Sequence, residues 1–143
     1  MNCLEERFIV DKSFEITVKF RRSVEGVLYP IVNTIVILPN GDTPRWPLLL
    51  DTGADGLILH PTFKSLFSNT EPENYKGIGG AEHEGAKTQG KIKLFGRTVE
   101  CEIGFVDFEL LSYRVGFLGR ECLKTFGIGF WESASEFYVT LTP

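Results

Sequence analysis

Short apolar runs separated by glycine, proline, asparagine and aspartate dominate this chain, a pattern typical of all-β proteins. From Phe14 to Phe20 apolar and polar residues alternate, as in a strand with one buried face. The same reasoning predicts further strands at 29–38, 46–50, 91–95, 98–105, 128–131 and 136–141. Residues 65–75 are polar and are predicted as a loop with room for one short helical turn.

Turn signals and one helix complete the predicted pattern. Asn40-Gly41 favours a hairpin because both residues tolerate positive φ, and Gly96-Arg97 separates a second pair of strands. Residues 120–126 are predicted as a helix, since their apolar positions share one face and Gly127 stands where a left-handed terminal residue belongs. We therefore predict an all-β chain with one short helix towards its C-terminal end.

Length, composition and charge fit a single globular domain. The chain has 143 residues, of which 43% are hydrophobic and 13% aromatic, so one core is expected over residues 1–143. The net charge of -4 argues against a nucleic-acid partner, which usually needs a basic face. The longest apolar run, 29–38, is too short to cross a bilayer, so no membrane partner is expected.

The N-terminal residues and the cysteines favour a cytoplasmic location. Met1–Glu6 is acidic where a signal peptide would be basic, and no apolar stretch follows it. Cys3, Cys101 and Cys122 form an odd set without CxxC spacing, which fits reduced thiols in a cytosol. Cys101 and Cys122 are predicted to be buried structural residues.

One acidic residue, Asp51, stands between two strongly apolar runs, 48–50 and 57–59. Burial of an unpaired carboxylate is costly, so such a residue is either hydrogen-bonded or functional. Asp51-Thr52-Gly53 is also a turn, in which backbone N–H groups can hold the carboxylate. On this tripeptide alone, a chemical role and a simple turn-capping role for Asp51 are both open.

The stretch Leu49-Leu50-Asp51-Thr52-Gly53-Ala54-Asp55 resembles the active-site signature of the retropepsin-like aspartic proteases. Two further elements follow in the order of that family. Gly77-Ile78-Gly79-Gly80 matches the glycine-rich flap, and Phe117-Leu118-Gly119-Arg120 matches the apolar-apolar-Gly element that opens a short helix. The resemblance covers roughly residues 30 to 130 and implies an acid-protease barrel with one lobe per chain. The N-terminal strand region and the final hairpin extend beyond the compact viral enzymes, so the mode of pairing stays open.

The resemblance implies an aspartic endopeptidase that is active as a homodimer on peptide or protein substrates. The chain has no second Asp-Thr-Gly or Asp-Ser-Gly, whereas the chemistry needs two close carboxylates that share one proton. Two-fold symmetry must therefore supply the second Asp51. Water is the nucleophile, and no cofactor is needed. The alternative is a non-catalytic peptide-binding or dimerisation module that keeps the loop for structure.

The resemblance also assigns roles to the neighbours of Asp51. Thr52 is expected to bond across the dimer, and Gly53 to let the backbone approach its partner and the substrate. Ala54 and Asp55 are expected to pair with an extended substrate strand, over which the flap, 77–80, closes. Asp55 and Arg120 are expected to form a buried bidentate ion pair that braces the loop.

Other chemistries lack support in the sequence. His60 and His83 are far apart and have no metal-site spacing, so no metal is expected. No Gly-x-Ser-x-Gly motif indicates serine catalysis. The segment 76–80 lacks the Gly-Lys-Ser/Thr ending of a phosphate-binding loop.

Overall fold

The computed structural model describes residues 15–19, 21–22, 26, 28–51, 53–77, 80–107, 116–124, 126–131 and 136–141. They belong to two compact units, one formed by residues 31–123 and one by the described parts of 1–30 and 124–143. Regular structure is mostly β-strand, which confirms the predicted class. The single domain over 1–143 stays a prediction.

Twelve strands, one 3₁₀ helix and one α-helix are found in the described residues. The strands are β1 (Glu15–Lys19), β2 (Arg21–Arg22), β3 (Leu28–Tyr29), β4 (Ile31–Ile37), β5 (Arg45–Leu50), β6 (Leu57–Leu59), β7 (Glu71–Lys76), β8 (Glu82–Leu94), β9 (Arg97–Phe105), β10 (Gly116–Leu118), β11 (Phe126–Trp131) and β12 (Glu136–Leu141). The 3₁₀ helix is Pro61–Leu66, and the α-helix, α1, is Arg120–Leu123. No helix in the described ranges has the length and hydropathy to span a bilayer.

The smaller unit contains an antiparallel sheet in the order β1-β12-β11 and a two-residue ladder between β2 and β3. Pairing of β11 with β12 from Phe126↔Leu141 to Trp131↔Glu136 confirms the predicted final hairpin. Its connecting residues, 132–135, lie outside the described ranges.

The larger unit is a ring of six strands in the order β4-β5-β10-β6-β9-β8, closed by pairing of β8 with β4. The β5–β10 and β6–β9 pairs are parallel and the other pairs are antiparallel. All six residues of β7 pair with the first part of β8, residues 82–87. The inside of the ring is a core of fully buried apolar side chains that includes Val36, Leu48, Leu57, Ile92, Leu94, Ile103, Phe105 and Leu118.

β10 decides where the candidate site forms. It lies between β5 and β6, which are consecutive in the chain, and it runs parallel to β5 from Gly116↔Leu48 to Leu118↔Leu50. The ends of these two strands are therefore side by side. The loop from Asp51 to Gly56 leaves β5 at this point and passes the residues that follow β10.

Three elements differ from the sequence-based prediction. The predicted loop at 65–75 is wrong for its second half, which is strand β7, because pairing with β8 from Glu71↔Lys87 to Lys76↔Glu82 overrides the polar composition. The predicted helix, 120–126, ends at Leu123, and Phe126 already begins β11. The predicted strand 29–38 is divided at Pro30, which has no backbone N–H to donate.

Candidate active site

Asp51 follows the last residue of β5 and is held by backbone hydrogen bonds. Its N–H donates to the carbonyl oxygen of Leu118 at 3.0 Å, and the N–H of Ala54 donates to its carbonyl oxygen at 3.2 Å. The N–H of Gly53 donates to its carboxylate Oδ1 at 2.9 Å. Asp51 thus caps its own turn, which is the structural role that the sequence left open beside a chemical one. It is only half-buried, so capping orients the carboxylate without removing it from solvent.

The residues after β10 fix the far side of the Asp51 loop. The N–H of Arg120 donates to the carbonyl oxygen of Ala54 at 2.9 Å, and the N–H of Glu121 donates to that of Asp55 at 2.7 Å. Arg120 Nη2 also lies 2.6 Å from Asp55 Oδ1. In the single chain this ion pair is exposed, with 66% of the Arg120 side chain and 91% of the Asp55 side chain accessible. The ion pair therefore has one close N–O contact and is exposed to solvent, whereas a buried bidentate pair was expected.

Gly119 allows α1 to come this close to the loop. A Cβ atom at this position would overlap the carbonyl oxygen of Gly56 and lie 2.7 Å from the carbonyl oxygen of Ala54. Carbonyl oxygens of the backbone cannot rotate away as a flexible side chain can. The glycine at 119 is therefore a steric requirement of the site.

The glycine-rich segment forms the turn between β7 and β8. Gly77 donates its N–H to the carbonyl oxygen of Ala81 at 2.9 Å, and Gly80 donates to that of Gly77 at 3.1 Å. Gly80 has φ +83°, a conformation that favours glycine. Ile78 and Gly79, like Thr52 in the other loop, lie outside the described residues. The turn predicted as a flap is thus the tip of a paired hairpin.

A cavity of about 350 Å³ separates this hairpin from the Asp51 loop. One wall is Gly53–Ile58, the other is Glu73–Lys76 of β7, and Glu102 and Gly104 of β9 complete it. Gly53, Ala54 and Asp55, all predicted site residues, therefore face β7 across one space. Gly77 and Gly80 lie at the hairpin tip and do not line the cavity.

The sequence-based prediction missed Tyr75, whose hydroxyl lies close to Gly104. A Cβ atom at Gly104 would be 2.5 Å from Tyr75 Oη and 2.9 Å from Ile58 Cδ1. The hydroxyl is buried and has no hydrogen-bond partner. Burial, followed by the nearby negative charges of Glu102 and Glu73, raises the pKa of Tyr75 to about 12. The every-second-residue spacing of Glu71, Glu73 and Tyr75 was the available signal for a strand. Pro72 obscured this signal, because proline is uncommon within strands.

Lys87 of β8 gathers three carboxylates beside the same cavity. Its Nζ lies 2.7 Å from Glu73, 3.6 Å from Glu102 and 3.9 Å from Glu71. The hydrogen bond with Glu73 raises the pKa of Lys87 and lowers the pKa of Glu73. One ammonium thus faces three carboxylates, and the group carries an excess of negative charge.

Cys101 of β9 and Cys122 of α1 are free and buried, as predicted. The hydrogen bond between their two thiols is the main cause of two opposite shifts. It lowers the pKa of Cys122 and raises the pKa of Cys101. The contact joins α1 to β9 behind the Asp51 loop.

The remaining candidate ligands are dispersed. His60 accepts a hydrogen bond from the N–H of Thr62 at the start of the 3₁₀ helix and lies 3.4 Å from Asp107. Within the described ranges, no three His, Cys, Asp or Glu side chains are grouped so that they could hold a metal ion.

Comparison with known proteins identifies the fold. No protein-family model and no curated protein matches the chain. Among solved structures, a retropepsin-like aspartic protease from Rickettsia conorii aligns with a TM-score of 0.54 and 14% identity, covering 89% of this chain and 91% of that one. EIAV protease complexed with the inhibitor HBY-793 aligns with a TM-score of 0.49 and 26% identity, covering 67% and 86%. With a six-stranded ring and, in the part of the chain that the structure describes, one short α-helix, the chain has the retropepsin-like aspartic protease fold, one lobe per chain.

Proposed function

We propose that this protein is an aspartic endopeptidase that is active as a homodimer. The observation that carries the proposal is the position of Asp51. Its carboxylate is oriented by the N–H of Gly53 at 2.9 Å, remains half-exposed, and stands at the end of β5 in a retropepsin-like fold. Free Cys101 and Cys122 fit a reducing compartment such as the cytoplasm.

One chain supplies one such carboxylate, so catalysis requires a second copy. Two Asp51 carboxylates on a two-fold axis would share a proton, because two like charges so close cannot both ionise. The ionised carboxylate takes a proton from a water molecule held between them. The protonated one donates a hydrogen bond to the scissile carbonyl oxygen and stabilises the tetrahedral intermediate.

The walls of the cavity suit an extended peptide. Residues 53–58 stand on one side and β7, the edge strand of its sheet, on the other, an arrangement that fits recognition by strand addition. In this proposal the Gly77–Gly80 turn closes over the bound strand and excludes water. Thr52 bonds to its counterpart across the dimer and locks the two loops together.

Cleavage of a mixed peptide library between about pH 4 and pH 8 tests the proposal, because the shared proton confines activity to a range of pH. Cleavage is expected, and its rate should fall more steeply than linearly when the protein is diluted below its dimer dissociation constant. Analytical ultracentrifugation of the same samples locates that constant. A well-folded dimer that cleaves nothing at any pH would favour the binding or dimerisation module.

Replacement of Arg120 by alanine should reduce activity strongly while changing the stability of the fold only slightly. The Asp55–Arg120 pair is exposed, so its loss should change the free energy of unfolding by less than about 1 kcal/mol. Cleavage at low protein concentration should nevertheless fall about tenfold or more, because the Asp51 loop loses its brace. Arg45→Ala, at an exposed arginine that begins β5, is the matched control. Wild-type activity and dimer affinity in Arg120→Ala would contradict the bracing role.

A further inference from the structure

The cavity between the Asp51 loop and β7 has apolar and polar walls and could receive one side chain of a bound peptide. Its volume of about 350 Å³ falls in the range of ligand pockets, about 300–1,000 Å³. Ile58 supplies an apolar surface, whereas Tyr75 and Glu102 supply polar groups. An extended peptide along the loop would direct one of its side chains into this space.

The charge of this wall favours a cation. Lys87 is the counter-ion that Glu73, Glu102 and Glu71 share, and its distance to Glu102 is 3.6 Å, too long for a good hydrogen bond. Of the lining residues, Asp55, Glu73 and Glu102 are acidic and Lys76 is basic. Asp55 is already paired with Arg120. Of the carboxylates that line the cavity, Glu102 is therefore the one whose charge is least compensated.

Tyr75 lines the same cavity as Glu102, and its hydroxyl lacks a hydrogen-bond partner. With a pKa of about 12 it stays protonated at neutral pH, and its oxygen can accept a hydrogen bond from an ammonium or a guanidinium group. An apolar occupant would exclude water from Glu102, whose side chain is 36% exposed in the free chain. It would leave both Tyr75 and Glu102 without a hydrogen bond, which is unfavourable. An acidic occupant would add a like charge.

We infer that this cavity selects a lysine or arginine side chain of the bound peptide, with Glu102 and Tyr75 as the residues that determine specificity. The inference rests on the proposed peptide-binding function and names its substrate class. The aliphatic stem of the basic residue would lie against Ile58 while its charged end reaches Glu102. Lys87, whose Nζ lies 3.6 Å from Glu102, helps to position that carboxylate.

A peptide library randomised at each position separates this inference from the proposed catalysis. Binding is measured on the full chain carrying Asp51→Asn, and cleavage on the wild type. At one position lysine and arginine should be enriched about tenfold over leucine, the effect of one hydrogen bond between charged groups. In Glu102→Gln this enrichment should fall to about threefold or less, whereas Glu100→Gln, an exposed carboxylate on the same strand, should keep it.

Two more variants test the assignment of residues. Glu102→Lys should move the preference at that position to acidic side chains, and Tyr75→Phe should weaken the basic preference without reversing it. Unfolding midpoints near that of the wild type establish that these variants are folded. Binding without a basic preference, or no binding at all, overturns the inference. Binding with a basic preference but without wild-type cleavage supports the inference and overturns the proposed catalysis alone.

Discussion

Asp51→Asn is expected to reduce peptide cleavage by about 10³-fold or more, because an amide can neither take a proton from water nor share one with a second carboxylate. The fold should be preserved. The amide oxygen of asparagine can still accept the hydrogen bond that Gly53 donates to Asp51 Oδ1. Wild-type circular dichroism and an unfolding midpoint close to that of the wild type are the measurements that accompany the assay.

Mixing the two forms makes this prediction specific for a dimer. A mixed pair, made of one wild-type chain and one Asp51→Asn chain, has a single carboxylate at its centre and should be inactive. If the chains exchange at random, a ninefold excess of the Asp51→Asn chain should lower the activity per wild-type chain to about one tenth. An excess of otherwise wild-type chains that carry Asp42→Asn, a change in an exposed turn, is the control and should inhibit nothing. Activity that is unaffected by excess Asp51→Asn would show that each chain acts alone.

Gly119→Ala is expected to reduce both the stability of the protein and its activity. The added methyl group would overlap the carbonyl oxygen of Gly56 and crowd that of Ala54, so either α1 or the Asp51 loop must move. We expect the free energy of unfolding to fall by about 2–4 kcal/mol. Cleavage should be lost as well, because the shift displaces Asp51 from the end of β10. Urea unfolding followed by tryptophan fluorescence measures the first effect.

Gly41→Ala separates this steric effect from the conformational cost of losing a glycine. Gly41 has φ +92° in the turn between β4 and β5, and a Cβ atom there would meet no neighbour. Its replacement should cost about 1 kcal/mol and leave cleavage unchanged. A loss of stability in Gly119→Ala no larger than that in Gly41→Ala would contradict the close approach of α1 to the loop.

The fold and the centre of the candidate site could be predicted because their signals are local. The apolar runs on both sides of Asp51 became β5 and β6, which places the carboxylate at a strand end. The Asn40-Gly41 turn lies in the hairpin of β4 and β5, and the final hairpin pairs as expected. Each of these features depends on residues close together in the sequence, where side-chain alternation and turn preferences act.

The cavity could not be predicted, because it depends on pairing between strands that are far apart in the sequence. β6, which follows the Asp51 loop, pairs in parallel with β9 from Leu57↔Ile103 to Leu59↔Phe105. This pairing brings Glu102, and with it Glu73 and Tyr75 of the β7–β8 hairpin, beside the loop. A polar stretch such as 71–76 carries little strand signal of its own, because it lacks the hydrophobic pattern that specifies strand register. The exposure of the Asp55–Arg120 pair likewise depends on what covers it, which local sequence does not encode.

The insertion of β10 between β5 and β6 has a consequence for the order in which the molecule folds. β5 and β6 emerge early during synthesis, and β5 can pair with β4 and β6 with β9, yet the other edge of each strand has no partner until residues 116–118 have arrived. Until then both strands present unpaired edges, which invite association with other chains. The Asp51 loop acquires its bonds to Leu118, Arg120 and Glu121 only at that step. Asp51 is therefore assembled into its final environment only after strands β4 to β10 have been made.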